Sequence, residues 1–211
     1  RRAVLYDVRL ELNYDYKASV HGDRHLVRVA PISIPNVQRV IASSLSFEPR
    51  PEQETTFADY FGNLVTTIAY GGRHDHLDVR LTARVQVEDL ARPVDLSPTL
   101  DGLRAELAAL WSLAPDSPQH FLSASPRIPL DRDITAYARD VAAGDRSVYA
   151  TAMALCLSIH RDFRYDKDAT KVDTGPAEAF ALKRGVCQDF AHVMIAGLRG
   201  LGIPSGYVSG F

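Results

Sequence analysis

The amino-acid sequence predicts an α+β protein in which an antiparallel β-sandwich or barrel-like domain is followed by a helical domain. Two observations lead to this prediction. Before about residue 98, apolar and polar residues alternate in short segments, which is typical of half-buried strands. After that residue, apolar side chains recur every three to four positions, which is typical of amphipathic helices. We therefore expect a β domain over residues 1–98 and a helical domain over residues 99–211.

Five strands are predicted in the first domain. The first strand has apolar side chains at alternate positions, namely Val4, Tyr6, Val8, Leu10 and Leu12. The other strands are predicted over residues 26–30, 40–47, 64–70 and 77–87. Turns that contain glycine separate them, at residues 21–23, 62–63 and 71–72. Consecutive short strands without a helical pattern between them favour an antiparallel sandwich or small barrel.

Helical periodicity dominates the second domain. The first predicted helix has one apolar face, formed by Leu100, Leu103, Leu107, Leu110 and Trp111. Two more helices are predicted over residues 131–143 and 147–163. Cys156 falls within the apolar stripe of the second of these, so we expect it to be a packed core thiol.

The end of the chain is predicted to contain two further helices and a strand. A charged segment without periodicity, residues 166–174, is expected to form a loop. A short helix then begins at Pro176, because proline is well tolerated at the first helical position. The last helix begins at Cys187 and stops at Gly202. We expect residues 206–211 to form a strand.

Composition and charge exclude several classes of function. The chain has 24 Lys+Arg against 26 Asp+Glu, a net charge of −2, without a basic cluster, which argues against nucleic-acid or anionic-membrane partners. No apolar run approaches the ~20 residues of a membrane-spanning helix. Two cysteines, Cys156 and Cys187, are too few and too far apart for a disulfide framework or a zinc site. We therefore expect a cytoplasmic protein with no cofactor and no metal.

Cys187 lies where a helix start would activate a thiol. Unpaired N–H groups and the positive end of the helix dipole stabilise an anion, which favours thiolate over thiol. The same N–H groups can donate to the oxyanion that forms when sulfur attacks a carbonyl carbon. Gly185, two residues earlier, would let backbone or substrate approach closely. Cys187 is therefore the candidate nucleophile.

The residues around Cys187 resemble the active-site segment of the transglutaminase-like superfamily. In that family a G-x-C-x-D/E-x-A motif leads through one helix to a G-I-P-A-R-x-V-x-G-like strand, and residues 185–192 and 198–210 are similar to these two parts. Ser205 and Gly206 stand where the family commonly has Ala-Arg. Upstream, residues 163–165 resemble the family's F-x-Y helix end.

The first domain is similar to the β domain that precedes this core in many bacterial members. The resemblance rests on residues 59–65, which are similar to a D-x-F-G-N turn, and on Pro31, which follows the second strand. It implies that residues 99–211 form the front part of a papain-like transglutaminase core, C-terminally incomplete.

The resemblance also implies a reaction. The thiolate of Cys187 would attack an amide carbonyl of a protein or peptide substrate, and the resulting thioester would pass to an amine or to water. A thiol protease or peptide amidase on the same fold, and a non-catalytic binding or scaffold module, are the alternatives.

A catalytic base is not evident among the histidines. In the family, the histidine and the acid follow the cysteine, but only His192 and Asp189 do so here. His192 is rotated by roughly 140° from Cys187 around the helix, so we expect the base and acid beyond Phe211 and no activity from residues 1–211 alone. Neither His160 nor His120 fits the family order.

Two further expectations concern partners and metals. A hairpin tip is predicted at residues 74–76, where His74 and His76 would be solvated rather than metal-bound. A strand at the end of the chain would leave Tyr207, Val208 and Phe211 beside an unpaired edge. We expect either further residues beyond Phe211, or a second copy of the chain or another partner that covers that edge.

Overall fold

The computed structural model describes residues 3–89, 94–144 and 146–210. The described residues before position 90 belong to one compact unit, and Val94–Ser209 form a second. The first unit consists of β-strands, and the second consists mainly of helices. Phe211, the last residue of the predicted C-terminal strand, lies outside the described residues.

Within residues 3–89, six strands form two antiparallel sheets. The strands are β1 (Ala3–Val20), β2 (Asp23–Val27), β3 (Gln38–Glu48), β4 (Gln53–Ala58), β5 (Leu64–Tyr70) and β6 (His74–Glu88). One sheet has the order β1-β6-β3 and the other has the order β2-β5-β4. The strand β4 was not predicted, because all six of its residues are exposed and apolar alternation is therefore missing. Its pairing with β5, from Gln53 opposite Ala69 to Ala58 opposite Leu64, defines it instead.

The two sheets share one hydrophobic core, so the unit is a β-sandwich. Phe47, Leu77 and Val79 come from the first sheet, and Ile68 and Tyr70 come from the second. Along β6, buried residues alternate with more exposed ones, as expected for a strand with one face against a core. The predicted α+β architecture with an N-terminal antiparallel β domain is confirmed.

The chain crosses between the sheets at the segment predicted to be a hairpin tip. Residues 71–73 connect β5 of one sheet to β6 of the other, so the hairpin prediction is wrong. The prediction of solvated histidines is also wrong for His74, which is only 8% exposed at the start of β6. Periodicity cannot reveal such a crossing, since a strand pattern looks the same whichever sheet the strand joins.

The described residues of the second unit form five α-helices, all close to their predicted positions. They are α1 (Leu100–Ala109), α2 (Arg132–Val141), α3 (Val148–Asp162), α4 (Pro176–Leu182) and α5 (Cys187–Gly200). Side-chain oxygens of Thr99, Asp131 and Ser147 accept from backbone N–H groups at the starts of the first three helices. The helix α5 is the most deeply buried, and it packs against α2, α3 and α4.

Three predictions about the second unit are wrong. Cys156 is exposed rather than packed, because the buried face of α3 runs through Thr151, Leu155 and Ile159 and leaves Cys156 on its flank. Trp111 is 93% exposed, because α1 ends at Ala109 and the chain becomes extended at Leu110.

The third error concerns the end of the chain. Residues 203–210 are irregular, although residues 206–211 were expected to form a strand. A strand needs a paired neighbour. Here the backbone is held differently, since the N–H of Ser205 donates to the carbonyl oxygen of Phe121, at 3.0 Å.

Among the described residues, no helix is both long and apolar enough to span a membrane.

Candidate active site

Cys187 is the first residue of α5, and it is exposed. The backbone before it is extended at Val186, which has no side-chain oxygen that could occupy the free N–H groups of the first helical turn. An exposed sulfur therefore lies at the positive end of the helix dipole, as the sequence predicts.

Asp189 holds the turn that carries Cys187. Its side chain is buried, with 2% of the residue exposed. One carboxylate oxygen, Oδ2, accepts from the backbone N–H of Val186 at 2.8 Å and from the hydroxyl of Thr170 at 2.6 Å. A carboxylate in these contacts orients the backbone next to the sulfur. The sequence alone singled out Asp189 only as the one acid that follows Cys187.

Gly185 is required by the same carboxylate. Its φ of +155° is unfavourable for other residues, and a Cβ atom there would lie 2.4 Å from Oδ2 of Asp189. The sequence analysis expected a close approach of backbone or substrate at this glycine. The group that approaches is the side chain of Asp189.

A short parallel ladder joins the upstream F-x-Y segment to this turn. The strands β7 (Arg164–Tyr165) and β8 (Arg184–Gly185) pair directly before Cys187. The N–H of Asp166 extends the ladder by donating to the carbonyl oxygen of Gly185 at 2.8 Å. The F-x-Y segment therefore lies beside the glycine of the cysteine motif, although about twenty residues separate them in sequence.

The charged loop between β7 and α4 lies against the first turn of α5. Besides the contact of Thr170 with Asp189, the carbonyl oxygen of Val172 accepts from the amide group of Gln188 at 3.3 Å. The same carbonyl accepts from the guanidinium of Arg127 at 3.2 Å. Thr170 and Val172 were not predicted as site residues, because neither loop position carries a pattern that indicates a contact with the helix.

His192 is buried in the same helix. Its imidazole is 5.5 Å from the ring of Tyr207, centroid to centroid. Burial lowers the pKa of His192; the charge of Asp189 opposes this shift and that of Arg127 adds to it. The other two histidines of the second unit lie on different elements, with His160 exposed in the last turn of α3 and His120 in a 3₁₀ helix (Pro118–Phe121).

Arg199 fixes the segment in which the sequence departs from the family pattern. Its guanidinium is buried and donates to the carbonyl oxygens of Ser205, at 2.9 Å, and Ser123, at 3.0 Å. Burial lowers the pKa of Arg199. A Cβ atom at Gly206 would lie 3.0 Å from the ring of Phe121, which accounts for a glycine at this position.

Comparison with known families matches both units. Residues 6–86 match the bacterial transglutaminase-like N-terminal region, and residues 135–211 match the transglutaminase-like superfamily. The first span covers all but the outermost residues of β1 and β6, and the second contains the turn that carries Cys187.

Relatives with similar sequences occur in mycobacteria. An uncharacterised protein of Mycobacterium tuberculosis is 31% identical over 182 residues, which cover 82% of this chain and 55% of that protein. An uncharacterised protein of Mycobacterium leprae is 27% identical over 199 residues, covering 94% of this chain and 67% of the relative. The chain thus spans about half the length of the Mycobacterium tuberculosis relative.

A solved structure shares the fold. It is a candidate cysteine protease from Cytophaga hutchinsonii, with a TM-score of 0.73 and 19% sequence identity. The match covers 97% of this chain and 66% of that protein.

Proposed function

Because the chain belongs to the transglutaminase-like superfamily, we propose that Cys187 is the nucleophile of an acyl-transfer or amide-hydrolysis reaction on protein or peptide substrates. The observation that supports this proposal is the exposed sulfur at the first turn of α5, next to a backbone turn that the buried carboxylate of Asp189 holds in place. An exposed, correctly oriented thiolate is the group that such a reaction requires.

The proposed reaction has two steps. In the first, the sulfur attacks the carbonyl carbon of a carboxamide, the C–S bond forms, and the C–N bond breaks. The nitrogen takes up a proton and leaves as ammonia or an amine. In the second step, an amine or water attacks the carbonyl carbon of the thioester, a C–N or C–O bond forms, and the C–S bond breaks. The attacking group gives up a proton, and Cys187 is released as a thiolate. N–H groups of the first turn of α5 would stabilise the oxyanion in both steps.

The proton donor is proposed to come from outside residues 1–211. His192 is buried, and its lowered pKa favours the neutral ring, so it is poorly suited to hold the proton that the leaving nitrogen needs. We therefore assign only the nucleophile to residues 1–211, and the complete reaction to the longer protein of which they would be a part, called the parent protein below.

Alkylation rates test the activation of Cys187. Both cysteines are exposed, but Cys156 lies in the middle of α3, so it is a matched control within the same molecule. We expect iodoacetamide at pH 7 to modify the Cys156→Ser variant, which retains Cys187, at least about tenfold faster than the Cys187→Ser variant. Equal rates would show that the helix start does not activate the sulfur.

An activity assay of the parent protein distinguishes acyl transfer from hydrolysis. It is incubated with a glutamine peptide, with and without a primary amine, and both ammonia release and amine incorporation are measured. Amine incorporation that disappears in the Cys187→Ala variant supports a transferase. Ammonia release without incorporation supports a hydrolase instead.

A protease or peptide amidase is the second candidate function. It is favoured by the fold shared with the candidate cysteine protease of Cytophaga hutchinsonii. Cleavage of a backbone amide in a peptide library, lost in the Cys187→Ala variant, would select this function. If the parent protein catalyses none of these reactions and Cys187 alkylates no faster than Cys156, a non-catalytic binding module remains.

A further inference from the structure

The β-sandwich brings three side chains with metal-binding groups together where the chain crosses between the sheets. Asp23 and His25 lie on β2, and His74 is the first residue of β6, in the other sheet. The chain passes from one sheet to the other twice at this corner, between β1 and β2 and between β5 and β6. The pairing of Val20 with His74 ends the β1–β6 ladder, and the pairing of Asp23 with Tyr70 begins the β2–β5 ladder.

The three side chains converge on one carboxylate. Oδ2 of Asp23 lies 2.6 Å from Nε2 of His25 and 3.3 Å from Nε2 of His74. One potential ligand atom from each residue lies within 4.8 Å of the other two. In a tetrahedral zinc site with bonds of about 2.1 Å, ligand atoms are about 3.4 Å apart, so small side-chain movements would suffice.

Polar atoms at this corner are buried without hydrogen-bond partners. The side chain of His74 is only 5% exposed, and neither of its ring nitrogens has a hydrogen-bond partner among the described residues. Oδ1 of Asp23 is also buried without one. Buried polar atoms are nearly always satisfied, so an imidazole that lies 3.3 Å from a carboxylate but has no hydrogen-bond partner indicates that a further group binds here.

The surroundings of His74 are aromatic. Its ring centroid lies 4.5 Å from that of Tyr70 and 5.7 Å from that of Tyr16. These rings pack against the imidazole, whose side chain is only 5% exposed. A preorganised histidine next to a second histidine and a carboxylate is typical of transition-metal sites, whereas Mg²⁺ and Ca²⁺ prefer oxygen ligands alone.

We propose that Asp23, His25 and His74 bind a divalent transition-metal ion, with Zn²⁺ as the best fit to two imidazoles and one carboxylate. The ion replaces the hydrogen bond between His25 and Asp23, and it supplies the partner that the ring nitrogens of His74 lack. Three protein ligands leave a coordination position for water or another small ligand. The site goes beyond the proposed function, since none of its ligands lies in the unit that carries Cys187.

Sequence alone does not reveal this site, because its ligands come from separate segments. His74 and His76 are only two residues apart, but the side chain of His74 is buried whereas that of His76 is 43% exposed. The remaining ligands come from β2, about fifty residues earlier.

Metal titration tests the proposal on the full chain. Both cysteines are replaced by serine so that thiolates cannot bind the ion. Zn²⁺ is titrated by calorimetry, and Co²⁺ is titrated by visible absorption, which reports coordination geometry. We expect one ion per chain, with an affinity at least tenfold lower in the His25→Ala, His74→Gln and Asp23→Asn variants.

The controls are the neighbouring histidines outside the cluster. The His21→Ala and His76→Ala variants should bind Zn²⁺ as tightly as the cysteine-free chain without them. Circular dichroism verifies that each variant is folded. His25 is partly exposed, so its replacement is the safest if His74→Gln fails to fold. If the folded cysteine-free chain does not bind Zn²⁺ at 1:1 stoichiometry, the proposal is wrong. It is also wrong if His76→Ala abolishes binding and His25→Ala leaves it intact. Neither result affects the alkylation test for Cys187.

Discussion

The buried carboxylate of Asp189 accepts two partly buried hydrogen bonds at the backbone turn next to the proposed nucleophile. We expect Asp189→Ala to lower the free energy of unfolding by about 2–4 kcal/mol, because it leaves the N–H of Val186 and the hydroxyl of Thr170 without an acceptor. Urea denaturation measures this change. Thr170→Val removes only one of the two contacts and should cost about 1 kcal/mol. If both variants are as stable as the parent, the carboxylate does not hold the turn.

A substitution at Gly185 tests the same turn through its backbone conformation. We expect Gly185→Ala to destabilise the protein by about 2–4 kcal/mol, since the new methyl group meets Asp189 and the backbone angle is unfavourable. Gly175→Ala is the matched control. Gly175 precedes α4 with a φ of −79°, and a Cβ atom there would have nothing within 4 Å, so its replacement should cost under about 1 kcal/mol. Thermal unfolding compares the two, and equal effects would contradict the role of the Asp189 contact.

His192 should make stability depend on pH. Its folded-state pKa is lowered by burial, so the unfolded chain binds a proton at a higher pH than the folded chain does. The free energy of unfolding should therefore fall as the pH decreases from about 7 to 5, through the usual pKa of about 6.5. Urea titrations at several pH values should show a weaker dependence in His192→Asn. His160→Asn, at an exposed position, should leave the dependence unchanged. A pH dependence that is the same in both variants would contradict the inferred burial effect.

At the scale of secondary structure, α5 meets α2 through two glycines. A Cβ atom at Gly197 would lie 3.1 Å from the side chain of Ala138, and one at Gly200 would lie 2.2 Å from Oγ1 of Thr135. Small residues at a helix contact let the two backbones approach closely. The position of α5, and with it the position of Cys187, therefore depends on this contact.

The contact predicts a pair of compensating substitutions. Gly200→Ala should destabilise the protein by about 1–3 kcal/mol, because the added methyl group collides with Thr135. Thr135→Ala removes two of the colliding atoms, so it should restore part of the loss in the double variant. A double-mutant cycle by urea denaturation measures the coupling. Strictly additive effects would show that the two side chains do not meet.

Across the whole molecule, the sequence predicts elements better than it predicts their surroundings. The strand over residues 64–70 and the start of α5 at Cys187 are confirmed, because local periodicity and helix-start residues determine them. The exposed strand β4 was missed, since its stability comes from pairing with β5. The family segments identified the turn around Cys187, but the packing of Asp189 against Gly185 and Thr170 depends on contacts between distant residues.

Metal binding should be visible in the sandwich without a matching change in α5. Zn²⁺ at 100 times its dissociation constant stabilises the state that binds it by about 2.7 kcal/mol. We therefore expect amide hydrogen exchange in β2 and at the start of β6 to slow when Zn²⁺ is added, because the ion joins strands of two sheets. The helix α5 contains none of the three ligands, so it serves as the internal reference. Mass spectrometry locates the protection, and the His25→Ala variant should lose it. Equal protection in the variant, or protection confined to α5, would place the ion elsewhere and exclude the corner of the sandwich as its site.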